Sequence, residues 1–333
     1  MTSTVFTPTT SVGIVGHGVY FPRSLLQPGD CTKPDLHERG RTPAWVSADE
    51  DAITIVIEAS QKALACAGIS AGRLSAIWLE PALEQTVTER SDATLLAQSL
   101  GAGPNLLAAD VSPPCNSGSA ALQAGFAFVG SGMATHVLAA CTGRAGNALH
   151  PVARLGSAAF VLGPGNEAEA VLEGVASLVL EFDGRARGGD LRPEACRSSD
   201  GAGRLSSAAA RLMQELDLRA SDVGHAVFHR ASERAQREVW KGLGFAPEQV
   251  AGSSNSHGVP EPNMGWGLCD ALDVARPGSR ILCVSHTETT SHALLLRATE
   301  RSHSFQRHGT PRFSRTTHGW AERREAVINS IHQ

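Results

Sequence analysis

The chain has 333 residues, 42% of them hydrophobic and 19% charged, and a formal net charge of -4 at pH 7. That length supports one large domain or two fused smaller ones with a substantial core, and so small a charge imbalance argues against nucleic acid or a membrane surface as the main partner. The opening MTSTVFTPTTSVGIVGHGVYFP has neither a basic leader nor a sustained apolar stretch, and no later segment approaches the roughly 18 apolar residues of a membrane span, so a soluble cytoplasmic protein is expected.

In chain order, Val12 to Val15 reads as a short apolar strand, and residues 51 to 67 set Ile53, Val56, Ile57, Ser60, Leu64 and Ala67 at helical spacing. Next come a strand at Ala76 to Leu79, a helix at about 92 to 100, a strand at Leu106 to Val111, a helix beginning near Asn116, and strands at Thr135 to Cys141 and Ser157 to Leu162. Gly101, Gly103, Gly130, Gly132 and Gly163 supply the stops. A strand at about 170 to 182 opens a second series, followed by a helix at about 204 to 217, a strand at Ala226 to His229 and a helix at about 232 to 243. A loop, a helix at about 264 to 275 and strands at Arg280 to Ser285 and Ala293 to Arg297 complete it. Element order alone therefore predicts a duplicated α/β unit, with halves at 1–168 and 169–300 and a basic extension at 301–333. Residues 183 to 204, rich in Gly, Arg and Asp, read as a connection or lid. His303, His308 and His318 of the extension lack metal-ligand spacing, and neither metal nor other cofactor is expected.

The seven cysteines, Cys31, Cys66, Cys115, Cys141, Cys196, Cys269 and Cys283, are odd in number, widely spaced and free of any CxxC pair. A disulfide framework and a zinc cluster are thereby disfavoured. Cys66, Cys141, Cys269 and Cys283 lie in apolar surroundings and read as small core residues. Cys115, in DVSPPCNSGSAALQAGFAFVGSG, falls instead between a strand end and a helix start. Unpaired N–H groups at a helix mouth and the helix dipole favour negative charge there, by about 0.3–1 kcal/mol, and push a thiol towards thiolate. Such a thiol is either a nucleophile for thioesters or a structural cysteine of a strand-to-helix turn. As partners, a nucleophile that carries an acyl group needs a proton-exchanging residue and donors for the oxyanion. In the second half His229 ends a strand and Asn263 enters a helix, and strand ends of a duplicated α/β fold converge on one crevice.

These segments resemble the thiolase-superfamily condensing enzymes, above all the ketoacyl synthase III group and short hydroxymethylglutaryl-CoA synthases. GIVGHGVYFPR is similar to that family's first strand, ADEDAITIVIEASQKALACAGI to its first long helix, AVFHRASERAQREVWKGLGFAPEQV to its histidine segment, and NMGWGLCDALDVARPGSRILCVSH to its asparagine segment. The resemblance spans about residues 11 to 299 and implies a five-layered αβαβα fold of two related halves. It also implies an acyl-accepting Cys115, a catalytic His229 and a catalytic Asn263, with Asn255 the alternative asparagine and His257 a second histidine or a loop residue. Trp45 lies roughly where the CoA-stacking tryptophan falls, and Glu80 and Glu84 lie close to where hydroxymethylglutaryl-CoA synthases place a general-acid glutamate, the alternative for a strand-end glutamate being a solvated or capping residue. Implied partners are acyl-CoA or acyl carrier protein and a second copy of the chain, paired through the strand Leu106 to Val111.

Departures from the family pattern are Pro113 and Pro114 ahead of the cysteine, a missing Arg-Thr-Gly-Ile segment, and His286 to Ser291 in place of a glycine-rich turn. They favour an acyltransferase or condensing enzyme of specialised, polyketide-like metabolism over primary fatty-acid synthesis. Alternatives are a hydroxymethylglutaryl-CoA synthase type of aldol condensation and a non-catalytic partner subunit of a condensing complex.

Overall fold

The computed structural model describes residues 5–21, 24–25, 44–45, 50–81, 91–111, 118–142, 156–179, 201–229, 233–250, 264–286 and 290–303. The first series of elements is β1 (Val5–Phe6), β2 (Val12–Tyr20), the short pair β3 (Ser24–Leu25) and β4 (Ala44–Trp45), α1 (Ala52–Ala67), β5 (Ala76–Glu80), α2 (Asp92–Ser99), β6 (Leu107–Asp110), α3 (Ser119–Gly130), β7 (Val137–Thr142) and β8 (Ser157–Pro164). The second is β9 (Ala170–Val179), α4 (Gly201–Glu215), β10 (His225–Phe228), α5 (Glu233–Leu243), α6 (Met264–Val274), β11 (Arg280–His286) and β12 (Thr290–Ala298).

Local chemistry accounts for these starts and stops. Asp51 and Thr54 form a reciprocal capping box at α1, with Thr54 N–H donating to Asp51 Oδ1 at 2.8 Å and Asp51 N–H to Thr54 Oγ1 at 2.7 Å. Gly68, at φ 66°, ends the helix in the left-handed conformation that glycine adopts without strain. The first strand runs to Tyr20, well past the predicted Val15, because Gly16 and Gly18 let it lie flush against α1; a Cβ on Gly18 would strike the Ala59 carbonyl.

The main sheet runs β10-β11-β12-β9-β2-β8-β7-β5-β6, with β1 beside β9. Its seam is narrow: β2 and β9 share only the pairs Gly13 with Val171 and Ile14 with Ala170. On one side, β2–β8 and β8–β7 are antiparallel while β7–β5 and β5–β6 are parallel. On the other, β9–β12 and β12–β11 are antiparallel and β11–β10 is parallel. Val250 then bridges Ala226 in parallel where the counterpart of β6 belongs. One strand order, used twice, is the structural form of the repeat read from the sequence.

Three apolar clusters define five layers. Val56, Ala63 and Leu64 of α1 and Leu96 of α2 cover one face of the first sheet through Ile77, Leu138 and Val161. Leu122 and Phe126 of α3 and Leu268 and Leu272 of α6 lie between the sheets, against Phe160 and Leu162 on one side and Ile281 and Leu294 on the other. Leu212 of α4 and Val239 of α5 cover the outer face of the second sheet, over Phe228, Val284 and Leu295. Each such fully buried side chain contributes about 1.5–3 kcal/mol. Cys66, Cys141, Cys269 and Cys283 are all buried and unbridged, as expected of core residues.

A polar clasp crosses the seam. His17 of β2 bonds Glu169 Oε1 through Nδ1 at 2.7 Å and Asp273 Oδ1 of α6 through Nε2 at 3.1 Å. Burial works against its charge, but the two carboxylates outweigh it and raise the imidazole from 6.5 to about 10. Among the described helices none is long and apolar enough to cross a membrane.

Candidate active site

At the C-terminal end of β5, Glu80 is fully buried. Its Oε2 accepts the Gly118 N–H at 2.8 Å, and its Oε1 accepts the N–H groups of Ala120 at 2.8 Å and Ala121 at 3.0 Å. A side chain 38 to 41 residues away thus closes the first turn of α3, in place of a neighbouring cap. Gly118 enters the helix at φ 83°, and a Cβ there would stand 3.0 Å from Cys141 Sγ. At the end of the adjacent strand Asp110 does the same for α2, accepting the N–H groups of Asp92 at 3.0 Å and Ala93 at 2.8 Å. Burial, then the charges of Asp110 and Asp51, raise the Asp92 carboxyl to about 6.

One expectation changes here. The helix mouth after Cys115 does not present only unpaired N–H groups, since three of them are bound to a carboxylate. Glu80 itself, which could be read as a general acid or as a capping residue, has both oxygens turned into the helix. Cys115, Glu84, Asn255, His257 and Asn263 lie outside the described residues, as does the Trp45 side chain, although the Trp45 backbone forms part of β4.

His229 follows β10 and is 3% exposed. Its backbone N–H donates to Val284 O at 2.8 Å, and its Nδ1 accepts the N–H of Met264, the first residue of α6, at 3.3 Å. A ring that accepts at Nδ1 carries its proton on Nε2, so a neutral His229 is a hydrogen-bond donor across the ring.

Register extends this position into a polar row that the sequence reading missed. Phe228 pairs with Val284, which brings Ser285 beside His229; Ser285 pairs with His292, and His292 with Ser177. All face α3 and α6, because the residues two positions away, Val227, Cys283 and Leu294, belong to the central apolar cluster. The Ser177 hydroxyl donates to Gln123 Oε1 of α3 at 2.7 Å and lies 3.0 Å from His292 Nδ1. With its proton spent on Gln123, Ser177 accepts from Nδ1–H, leaving the His292 Nε2 lone pair as an acceptor. Burial lowers the His292 pKa, which keeps the ring neutral. The only sequence signal for this row was alternation in SHTETTSHALLL, a segment that stood out instead as a departure from a glycine turn.

One cluster among the described residues has metal-ligand character: ligand atoms of His17, Cys66 and Glu169 lie within 4.8 Å of one another. Both His17 nitrogens there already face carboxylates, and the Cys66 thiol is pushed up to about 12, mainly by burial and then by Glu169. An ion-paired clasp explains the group without a metal.

No protein-family model matches the chain. Among characterised proteins it is 35% identical over 300 residues to the hydroxymethylglutaryl-CoA synthase of Pyrococcus furiosus, covering 84% of each chain. It is likewise 35% identical over 302 residues to that of Methanopyrus kandleri, covering 84% of this chain and 85% of the relative. The chain belongs to the thiolase superfamily of condensing enzymes. Solved structures agree on the thiolase-like fold: 3-oxoacyl-[acyl-carrier-protein] synthase III from Aquifex aeolicus superposes with a TM-score of 0.71 at 20% identity, over 86% of this chain and 99% of the other. Xanthomonas campestris OleA superposes with a TM-score of 0.73 at 15% identity, over 88% and 99%. For a condensing enzyme of this superfamily, acyl-CoA-type thioesters are the implied substrates.

Proposed function

We propose that the chain catalyses an aldol-type condensation of two acyl-CoA thioesters, as its hydroxymethylglutaryl-CoA synthase relatives are named for, through an acyl-Cys115 intermediate. The observation that carries this reading is the 35% identity over 84% of both chains to the Pyrococcus enzyme. In the proposed scheme the Cys115 thiol takes an acyl group from one thioester and releases CoA. His229, a donor at Nε2, bonds the thioester oxygen as charge develops on it, with Asn263 or Asn255 beside it. Substrate binding is assigned to Trp45 and His257, and the proton for the tertiary alkoxide to Glu84, a part for which Glu80 is poorly placed. β6 ends the sheet with one edge unpaired among the described residues, which supports pairing with a second copy of the chain.

Incubation with acetyl-CoA and acetoacetyl-CoA tests the proposal. Free CoA and a six-carbon branched thioester are the expected products, with an acetyl adduct on the Cys115 peptide. Turnover of a malonyl thioester with loss of carbon dioxide, and none with the acetyl pair, would favour the decarboxylative, ketoacyl synthase type of chemistry instead. Absence of any Cys115 adduct across a panel of acyl-CoAs and acyl carriers would leave the non-catalytic subunit as the reading.

A further inference from the structure

We infer that the row of Ser285, His292 and Ser177, together with Gln123 of α3, is a subsite for a neutral hydroxyl group on the substrate's acyl chain, so that hydroxyacyl thioesters are the preferred substrate class. The inference rests on the reading that an acyl thioester lies against His229. Strand register sets the row out: Ser285 of β11 stands directly opposite His292 of β12, and His292 directly opposite Ser177 of β9. Side chains opposite each other in an antiparallel pair share a face, with Cβ atoms about 4.5–5.5 Å apart. Gln123 reaches this face from α3, where its Oε1 accepts the Ser177 hydroxyl proton at 2.7 Å.

Three polar atoms are left over once these bonds are made. Ser285 is 2% exposed, and its hydroxyl has no hydrogen-bond partner among the described residues. The Gln123 Nε2 amide nitrogen is buried and equally unpartnered among them. His292 spends Nδ1 on Ser177, at 3.0 Å, which leaves its Nε2 lone pair as an acceptor. Buried polar groups in native proteins are almost always satisfied, so two unfilled donors beside one acceptor call for an occupant. Ser177, His292 and Gln123 are only half-buried although they face the central helix layer, so that layer is not packed shut around them.

The leftover atoms select the occupant. A hydroxyl accepts two hydrogen bonds and donates one, which matches the Ser285 O–H, a Gln123 N–H and the His292 Nε2 lone pair. A ketone has no proton for His292, and an ammonium group has no acceptor for the two donors. A carboxylate finds no cation in the row, since α3 contributes no charged side chain and burial keeps His292 neutral. With strands about 4.7–4.9 Å apart, Ser285 and His292 lie one and two spacings from His229. A thioester oxygen at His229 therefore brings a hydroxyl on the second or third carbon beyond that carbonyl over the Ser285–His292 pair. Acetyl and acetoacetyl groups react without filling the subsite and leave it to water.

The test is equilibrium titration of the full chain with a ketone analogue of butyryl-CoA, in which a methylene separates the sulfur from the carbonyl so that no acyl group can leave, and with its 3-hydroxy and 4-hydroxy counterparts. The better hydroxylated analogue is expected to bind about tenfold tighter than the plain one. Ser285→Ala and His292→Phe should each cut that preference to about threefold or less, with the plain analogue's Kd unchanged within about twofold. Ser285→Ala is also expected to melt no lower than wild type, because it removes a hydroxyl that bonds nothing in the free protein. Equal affinity for the three analogues, or binding of none, overturns the inference; so does a preference that survives both substitutions. Incubation with acetyl-CoA, read by mass spectrometry, keeps the two readings apart. A hydroxyl preference with no acyl adduct retains the subsite and removes the acyl-transfer reading, whereas an adduct with no preference removes the subsite alone.

Discussion

Glu80 and His229 occupy the same place in two copies of one strand order. Glu80 ends β5 and His229 directly follows β10, the equivalent strand of the other half; each faces the central helix layer, and each accepts backbone N–H at the start of a central helix, three groups at α3 for Glu80 and one at α6 for His229. Around Glu80 the register partners are apolar or small: Cys141 on β7, Ala158 on β8 and Val19 on β2. Around His229 the matching positions are Ser285, His292 and Ser177. One copy of the motif is a carboxylate anchor set among apolar and small neighbours; the other is a polar row of histidines and serines. A duplicated fold thus supplies two equivalent strand ends, and side-chain chemistry alone distinguishes the anchoring Glu80 from His229, the proposed reactive end.

Three substitutions probe that division. The largest effect is expected at the proposed reactive end: His229→Ala removes the proposed oxyanion donor and should lower kcat about 10²–10³-fold, with the fold intact by circular dichroism. Loss of stability with kcat unchanged would place His229 on the supporting side instead. Glu80→Ala should do the opposite, leaving three buried N–H groups without their acceptor and costing about 3 kcal/mol in urea denaturation. A Glu80→Ala protein as stable as wild type would mean that water or another group can close α3.

The smallest effect concerns the clasp that joins the halves. The His17 pKa is raised from 6.5 to about 10 by Glu169 and Asp273 against the effect of burial, so its contribution is complete below pH 6.5 and is lost as the pH rises through about 10. His17→Gln should therefore melt several degrees below wild type at pH 7, with the gap closing by about pH 10.5. A gap that stays constant over that range would show that His17 acts by packing and not by charge.

Much of the fold was legible because its signals are local. The helix at 52–67 shows its apolar spacing within one stretch, and the strands at 76–80, 137–142 and 157–164 fall where short apolar runs meet glycine or polar stops. The pair β3 and β4 was not anticipated, since two residues on each side give no periodicity to read. Cys115 and His229 stood out by residue type at element ends. Glu80 stood out too, with a general-acid and a capping part both open, because a strand-end glutamate looks the same in sequence whether it faces substrate or closes a helix.

Sequence by itself determined the order of elements, the duplication, the core cysteines and the family, all of which follow from hydrophobic period, stop residues and short motifs within a few turns of chain. Only the tertiary structure decided which carboxylate closes α3, which nitrogen of His229 carries the proton, and that His292 and Ser177 share a row with it. Those outcomes depend on hydrogen bonds between residues 35 to 115 positions apart. Such bonds are set by strand register and layer packing, and a one-residue slip in register would turn each of those side chains to the opposite face of the sheet.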